Sequence, residues 1–540
     1  MTEKLTIDAL DLLHRLEEVC EPYRLFPSVD EGGNFRLELT QFGGSSTLNR
    51  TLGDALASAL VSADYAAAIE GNALVFNASE APDIADCLDD ALYAIRPLAP
   101  TRFLSRFPEG THVPHSSDKS ALNLPRSDAY RARLVAADFL PDDKKPPVLD
   151  VHHASGPYLA SIDDEPLIIF DAASQIATHA GGLNPPEVLE AMWTGDFDDV
   201  LAVNPDTRRE RIAPVEWLAD RLREATEDTL PYVAFCGSGA EANELALRVA
   251  AKTRPGRHKI VAFEGSFHGR TMAVLHATWN PAKRERFELA GYEARWCPWP
   301  TSNGHKLDDG PIDYAAWDKA LGSDKRSMPE GLDALEESEW KALTAVEAAL
   351  EDDEVVALLA EPMQSEGGER HVSNRFMCRL RVLALAYDVP FIMDEVQTGF
   401  GLGGPFFWHR GFGFETPPDL VSIAKKAQVG GILSRTPIGI AHEVHVASAI
   451  RGLCQADIIG AGDSDAVEAD VSERLMRIAE AYPETILAPR VEGYSFGFDL
   501  PDKEAVAHLI AQRLWRGWML YGAGPNAVRF RLHPYVSTRA

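Results

Sequence analysis

Residues 417–431 read PPDLVSIAKKAQVGG, an apolar run that stops at the adjacent Lys425 and Lys426 before a glycine pair. An ammonium group is strongly hydrated, and hiding one without a partner is costly. The pair therefore either points into solvent, the ordinary outcome for lysines, or delivers an amine into a covered site. In such a site, burial and neighbouring cations lower the pKa and leave a nucleophilic amine. Strand alternation predicts that the two side chains point to opposite faces, and alternation alone does not choose between them.

Two further stretches carry chemistry of a matching kind. FIMDEVQTG places Asp394 directly after an apolar run. A carboxylate there stays charged only beside a cation or good donors, a protonated pyridine nitrogen being one such cation; otherwise it caps the next turn. GSGAEANELALRVAAK begins with glycines and Ser238 and runs into a helix. The free N–H groups of a helix start can hold a phosphate. The stretch lacks the lysine of a P-loop and the G-x-G-x-x-G spacing, and Ser238 as a plain N-cap accounts for it equally well. A phosphate cradle, an acid for a ring nitrogen and an amine that bonds an aldehyde are together what pyridoxal 5'-phosphate asks of a protein.

These residues need a scaffold that brings them to one edge. From about residue 150 the chain alternates short apolar runs with longer helical stretches, the pattern of a parallel sheet with crossovers. The runs are YVAF (232–235), KIVAF (259–263), VVALLA (355–360), PFIM (390–393) and LVSIA (420–424). They are apolar throughout, which suits strands covered on both faces. They are followed by CGSGAEANE, EGSFHGRT, EPMQSEGGE, DEVQTGFG and KKAQVGG, so glycine-rich and charged residues gather at five strand ends in order. In open α/β sheets that edge binds ligands.

Upstream the pattern differs. Leu12, Leu13, Leu16, Val19 and Cys20 repeat at helical spacing, NFRLELTQF alternates like a strand, and TLGDALASALVSADYAAAI reads as helix. NALVF reads as strand and IADCLDDALYAI as helix. Residues 1–104 are expected to form a small α+β module, and 105–149, rich in turn formers, a linker. We expect 150–200 to open the main unit, 201–440 to form its large domain and 441–540 a small C-terminal domain.

With 540 residues the chain can bury a large core and divide into domains. Its net charge of −30 argues against nucleic-acid binding and leaves small molecules and copies of itself as partners. Six scattered cysteines without a C-x-x-C pair predict neither a disulfide framework nor a metal site, and suit a reducing cytoplasm. The N-terminus reads as a charged amphipathic helix rather than a signal peptide, and no apolar run is long enough to span a membrane.

On the motifs VLDVHHASGPYL, FDAASQIATHAGGLNPPEV, GSGAEANELALR, GSFHGRTM, EPMQSEGGERH, MDEVQTGFGLGG and IAKKAQVGG, the chain from about 147 to 540 resembles the class III (ω-) aminotransferases. It is most similar to the branch acting on 4-aminobutyrate and on the ε-amine of lysine. The resemblance implies an α/β fold of type I, with a mostly parallel sheet in the large domain and a small α+β domain, preceded here by the extra module. It implies pyridoxal 5'-phosphate as cofactor, an ω-amino donor with 2-oxoglutarate as acceptor, and a homodimer. The family's cofactor lysine stands four residues before the glycine pair, which is Lys426, leaving Lys425 as its neighbour. Asp394 would meet the ring nitrogen, Gln397 the phenolic oxygen, and Phe267 and Val396 the two ring faces. Ser238, Gly239 and Ala240 resemble the phosphate cradle.

For substrates, Arg270 resembles the arginine that binds the donor's carboxylate. In VRFRLHP, Arg531 matches the arginine for the acceptor's α-carboxylate, with Glu366 pairing and masking it, while Arg529 on the same face could be a surface strand charge. Glu361 would lie near the cofactor lysine and Ile176 near the substrate.

Three departures stand out. Cys236-Gly-Ser-Gly239 lacks the second cysteine of relatives that hold an iron–sulfur cluster, so none is expected. The threonine that reaches across the family's dimer to the phosphate is missing; Ile458 or Ile459 stands there, with Ser464 as a substitute. The chain stops soon after RFRLHP, where relatives continue into a helix. Other pyridoxal phosphate chemistry (decarboxylation or amino migration) and a non-catalytic assembly role remain alternatives. A nicotinamide enzyme fits least, because GLGG at 401–404 follows no strand directly.

Overall fold

The computed structural model describes residues 209–284, 291–300, 331–440, 443–514 and 516–534 continuously. Before these it describes 27–29, 34–38, 46–62, 65–70, 73–76, 84–95, 124–139, 147–150, 156–163, 167–185 and 201–203, with Leu12, Leu13, Arg15, Leu16, Val19, Cys20, Ala154, Glu187, Val188, Ala191 and, later, Met328.

Near the N-terminus, β1 (Pro27–Val29), β2 (Phe35–Glu38), β3 (Ala67–Glu70) and β4 (Ala73–Phe76) form a four-stranded antiparallel sheet in the order β1-β2-β4-β3. Helices α1 (Ser46–Ser62) and α2 (Ile84–Ile95) pack with it. Its core is its own: Leu16, Leu37, Leu60, Leu74, Phe76 and Leu88 are among its buried members. The helix expected to continue through AAAI stops at Ser62, and Ala67–Glu70 is a strand instead. The burial of that segment alternates, so pairing with β4 overrides the helical propensity of alanine.

The expected linker is also corrected. Pro125–Ala136 is a helix, α3, with proline in its first turn where a missing N–H costs nothing. Its buried Ser127 donates to Asp163 Oδ2 at 2.6 Å, and the backbone N–H groups of Arg126 and Ser127 donate to Oδ1 at 2.9 and 3.0 Å. The remaining linker positions, 105–123 and 140–146, lie outside the described residues, as do 535–540.

The central sheet has seven strands. In chain order they are β5 (Tyr232–Cys236), β6 (Lys259–Phe263), β7 (Glu293–Cys297), β8 (Val355–Ala360), β9 (Phe391–Asp394), β10 (Leu420–Ile423) and β11 (Gly430–Ser434). Their spatial order is β7-β6-β8-β9-β10-β11-β5, parallel from β7 through β10, with β11 antiparallel to both its neighbours. This is a mostly parallel α/β sheet, as the apolar runs imply. β8, β9, β10 and β11 are buried at every residue, because helices cover both faces. A large cluster containing Phe263, Phe376 and Phe391 fills one side, and an alanine- and leucine-rich cluster under α4 (Gly239–Thr253) fills the other.

After the sheet come α5 (Val446–Gly460) and α6 (Ser464–Ala481), then a four-stranded antiparallel sheet. Its strands are β12 (Leu487–Glu492), β13 (Ser495–Asp499), β14 (Tyr521–Ala523) and β15 (Ala527–Arg531), in the order β12-β13-β15-β14. Ile458 and Ile459 are buried on α5, and Ser464 begins α6. Among the described residues, no helix is long and apolar enough to cross a membrane.

Candidate active site

A cavity of about 510 Å³ opens at the C-terminal edge of the central sheet, where five strand ends meet the start of α4. Its walls include Ser238, Gly239 and Ala240 before and within α4, and Phe267 and Arg270 after β6. Glu361 after β8 and Asp394, Val396 and Gln397 after β9 complete the set. Nine of the predicted site residues are therefore brought together, Ser238 through Gln397 as just named. Lys425 lines the same cavity, whereas Lys426, Ile176, Glu366 and Arg531 are not among its lining residues.

Two glycines make the cradle possible. A Cβ on Gly239 would lie 2.6 Å from Val396 Cγ1, and one on Gly430 would lie 2.3 Å from the carbonyl oxygen of Ser238. The backbone of β11 thus passes directly under the start of α4. Ser238 is an N-cap, accepting from the Glu241 N–H at 3.3 Å, and it also lines the cavity.

Asp394 ends β9, nearly buried. Its Oδ1 accepts from the Val396 N–H at 3.0 Å, the turn-capping contact. Its Oδ2 lies 2.8 Å from Asn243 Nδ2 and 2.8 Å from His268 Nδ1. Ser422 on β10 donates to Asn243 Oδ1 at 2.6 Å and fixes that amide. Donors thus surround the carboxylate and hold it in one orientation. The sequence reading did not single out Asn243 or His268. Their only signal is a polar residue on the buried face of α4 and a histidine between Phe267 and the cavity glycine.

The lysines do not follow strand alternation. β10 ends at Ile423, and Lys425–Ala427 form a tight 3₁₀ turn entered with Lys425 at φ 56°. Gln428, also left-handed, holds the turn by donating to the carbonyls of Lys425 and Thr178 at 3.1 and 2.7 Å. Lys425 reaches the cavity wall; burial, then Arg529 and Arg531, lower its pKa to about 8. Lys426 is 2% exposed, and its Nζ has no hydrogen-bond partner among the described residues. Burial first, then the charges of Arg531 and Lys425, hold it well below the usual lysine range. Both amines are therefore weaker bases than an exposed lysine.

Glu361 accepts from the Phe267 N–H at 3.0 Å, and burial followed by the nearby Asp394 pushes its carboxyl well up. Ile176 lies on a run, Ser174–Ala177, with φ between 48° and 61° throughout. Such backbone costs roughly 1–2 kcal/mol per residue. It is held by Asp171, whose Oδ2 accepts from Gln175 N and Nε2, each at 3.0 Å. The run carries the chain to Thr178, which does line the cavity.

The expected pairing of Glu366 with Arg531 is overturned. Glu366 Oε2 accepts from Arg529 Nη2 at 3.0 Å, and Arg531 instead reaches Glu369 Oε1 at 2.5 Å and Ser495 Oγ at 3.0 Å. Both arginines lie on one face of β15 and both are buried, so Arg529 is not a surface charge. Glu366 and Glu369 stand three residues apart in the loop after β8, and each meets a different arginine. Glu366 also ion-pairs with Lys283, a residue carrying no sequence signal. Burial alone would raise Glu366, and the Arg529 and Lys283 charges more than offset it, leaving the carboxyl below its usual range.

A family model described as aminotransferase class-III matches residues 139–456. The chain is 29% identical over 319 residues to a 4-aminobutyrate aminotransferase of Schizosaccharomyces pombe, covering 53% of this chain and 61% of that one. It is 26% identical over 439 residues to an L-lysine-epsilon aminotransferase of Amycolatopsis lactamdurans, covering 75% and 91%. Among solved structures it is similar to a lysine aminotransferase from M. tuberculosis, at 25% identity and TM-score 0.62, over 76% of this chain and 95% of that one.

Proposed function

The chain belongs to the class III aminotransferase family, whose pattern spans more than half of it, and on that premise we propose that it moves an ω-amino group to 2-oxoglutarate. The donor is 4-aminobutyrate- or lysine-like, and the products are glutamate and a semialdehyde. The enzyme is a transaminase that works with pyridoxal 5'-phosphate. The residues present suit that group: two glycines clear a cradle, donors hold Asp394 in one orientation, and a buried amine has no hydrogen-bond partner among the described residues. When bound, the cofactor's protonated ring withdraws electrons from the reacting substrate carbon.

Each side chain then has a task. Ser238, Gly239 and Ala240 hold the phosphate at the start of α4. Asp394, locked by His268 and Asn243, keeps the ring nitrogen protonated. Phe267 and Val396 take the two ring faces, and Gln397 the phenolic oxygen. Lys426 keeps the covalent role for two reasons: its spacing from Gly430, and a buried amine that has no hydrogen-bond partner among the described residues and whose basicity burial lowers. Once displaced, it moves the proton at the substrate carbon. Lys425 remains as the cation of the wall. Arg270 binds the donor's carboxylate, and Arg529, masked by Glu366 until needed, binds the acceptor's α-carboxylate. Met272 and Trp279, large apolar residues left exposed just after Arg270, support a homodimer closing over this edge. The six free thiols fit a cytoplasmic setting.

The observation that carries this reading is a buried, oriented aspartate lining a cavity whose wall includes Lys425, next to the buried Lys426 amine, which has no hydrogen-bond partner among the described residues. Incubation with 4-aminobutyrate or lysine plus 2-oxoglutarate should release glutamate. Lys426→Ala should lower turnover about 10²–10⁴-fold, with Lys425→Ala well within that loss. Failure to form glutamate from every ω-amine tried would refute the transaminase reading, and gas release without glutamate would indicate a decarboxylase.

A further inference from the structure

Glu366 does not have one cationic partner but two. Its Oε2 meets Arg529, and its Oε1 meets the ammonium of Lys283. That ammonium is placed independently of Glu366. Lys283 lies in the short helical turn Pro281–Arg284, which Asn280 starts by accepting from the Ala282 N–H at 3.0 Å. Its Nζ stands 4.4 Å from the centroid of the Phe267 ring, a cation–π contact that anchors the head group beside the cavity wall. Arg529, by contrast, is incompletely used: its Nη1 is buried and has no hydrogen-bond partner among the described residues, while Nη2 is occupied by Glu366.

Resting on the transaminase reading above, we infer that Lys283 is a positioning residue that receives Glu366 when that carboxylate releases Arg529 to the acceptor. A donor reacting at a distal amine presents no carboxylate to Arg529, and the Glu366–Arg529 pair stays closed. An acceptor whose carboxylate adjoins its carbonyl needs the guanidinium fork, of which one nitrogen is already open. Taking the other requires Glu366 to leave. The Glu366 side chain is 34% exposed, so on leaving Arg529 it could swing into solvent unless a second cation held it beside the pocket. With Lys283 already bound to its second oxygen, Glu366 stays paired and charged throughout, and only one of its two contacts breaks. Lys283 thereby sets the balance between two substrates that use one pocket.

The test compares the holoenzyme with Lys283→Met, which keeps the stem's packing on Phe267, and Lys283→Arg, which keeps the charge. The amine-loaded enzyme is reacted in single turnovers with 2-oxoglutarate or, separately, with the donor's semialdehyde. Equilibrium binding of 2-oxoglutarate to the aldehyde-loaded enzyme is measured in parallel by calorimetry. Lys283→Met should raise both the KM and the Kd for 2-oxoglutarate about 10-fold, leave its limiting rate and the semialdehyde reaction within about 2-fold, and be rescued by Lys283→Arg. Equal losses with both carbonyl substrates, no loss with either, or no rescue by arginine would overturn the inference. A wild-type enzyme inert toward both substrates would instead sink the transaminase reading, and this inference with it.

Discussion

Adjacent lysines with different surroundings dominate the chemistry at the scale of single residues. The sequence made the pair conspicuous but could not predict its geometry, since alternation assumes a strand and the chain turns at Ala424. Asp394 was legible for the opposite reason: an acid directly after an apolar run must find donors, and it found Asn243 and His268. Those donors were not legible, because a buried polar side chain on a helix gives no periodic signal of its own. The arginines show a similar limit. Alternation placed Arg529 and Arg531 on one face but could not say which glutamate each would meet.

Lys425 gives a pH-dependent prediction. Its pKa of about 8 makes it an ammonium below that pH and a neutral amine above it, so raising the pH through 8 removes a cation from the cavity wall. The probe is 4'-deoxypyridoxine 5'-phosphate, which has no aldehyde to bond and whose phosphate is a dianion at these pH values. Its affinity for cofactor-free protein should fall about 5-fold between about pH 7 and pH 9. In Lys425→Met that step should vanish; its persistence would assign the titration to another group.

At the scale of elements, the five apolar runs became β5, β6, β8, β9 and β10 with ends shifted by at most one residue. Strands buried on both faces announce themselves by composition. The antiparallel β11 did not, because GGILS begins with the residues that close the lysine turn. α3 was hidden within turn-forming neighbours and is fixed by a tertiary contact, Ser127 with Asp163, that no local pattern encodes.

The contact between β11 and the start of α4 is testable. Gly430→Ala would place a methyl group 2.3 Å from the Ser238 carbonyl oxygen, a backbone atom that can yield only by moving the phosphate cradle. Overpacking of this kind costs about 1–3 kcal/mol. The variant should melt at a lower temperature and release its cofactor more readily than wild type. Unchanged melting and cofactor affinity would show that β11 does not brace the cradle.

For the whole molecule, the site is a product of topology. Seven strands bring loops separated by nearly 200 residues to one edge, where the cavity is lined from the ends of β5, β6, β8, β9 and β10, and Arg529 and Arg531 of the later sheet lie near enough to act on Lys425. The acidic surface leaves the few cations concentrated there conspicuous: Arg270, Lys283, Lys425, Arg529 and Arg531 all lie at or beside the cavity. The N-terminal sheet with its separate core, read from sequence as a module, has no counterpart within the matched 139–456 span, and we propose that it is a domain added to a transaminase. What ties the account together is the identity of the amine that holds the cofactor. The direct measurement is borohydride reduction of the yellow holoenzyme, followed by proteolysis and mass mapping of the pyridoxyl-bearing peptide. The label should fall on Lys426; a label on Lys425, or none on either lysine, would contradict Lys426 as the amine that holds the cofactor.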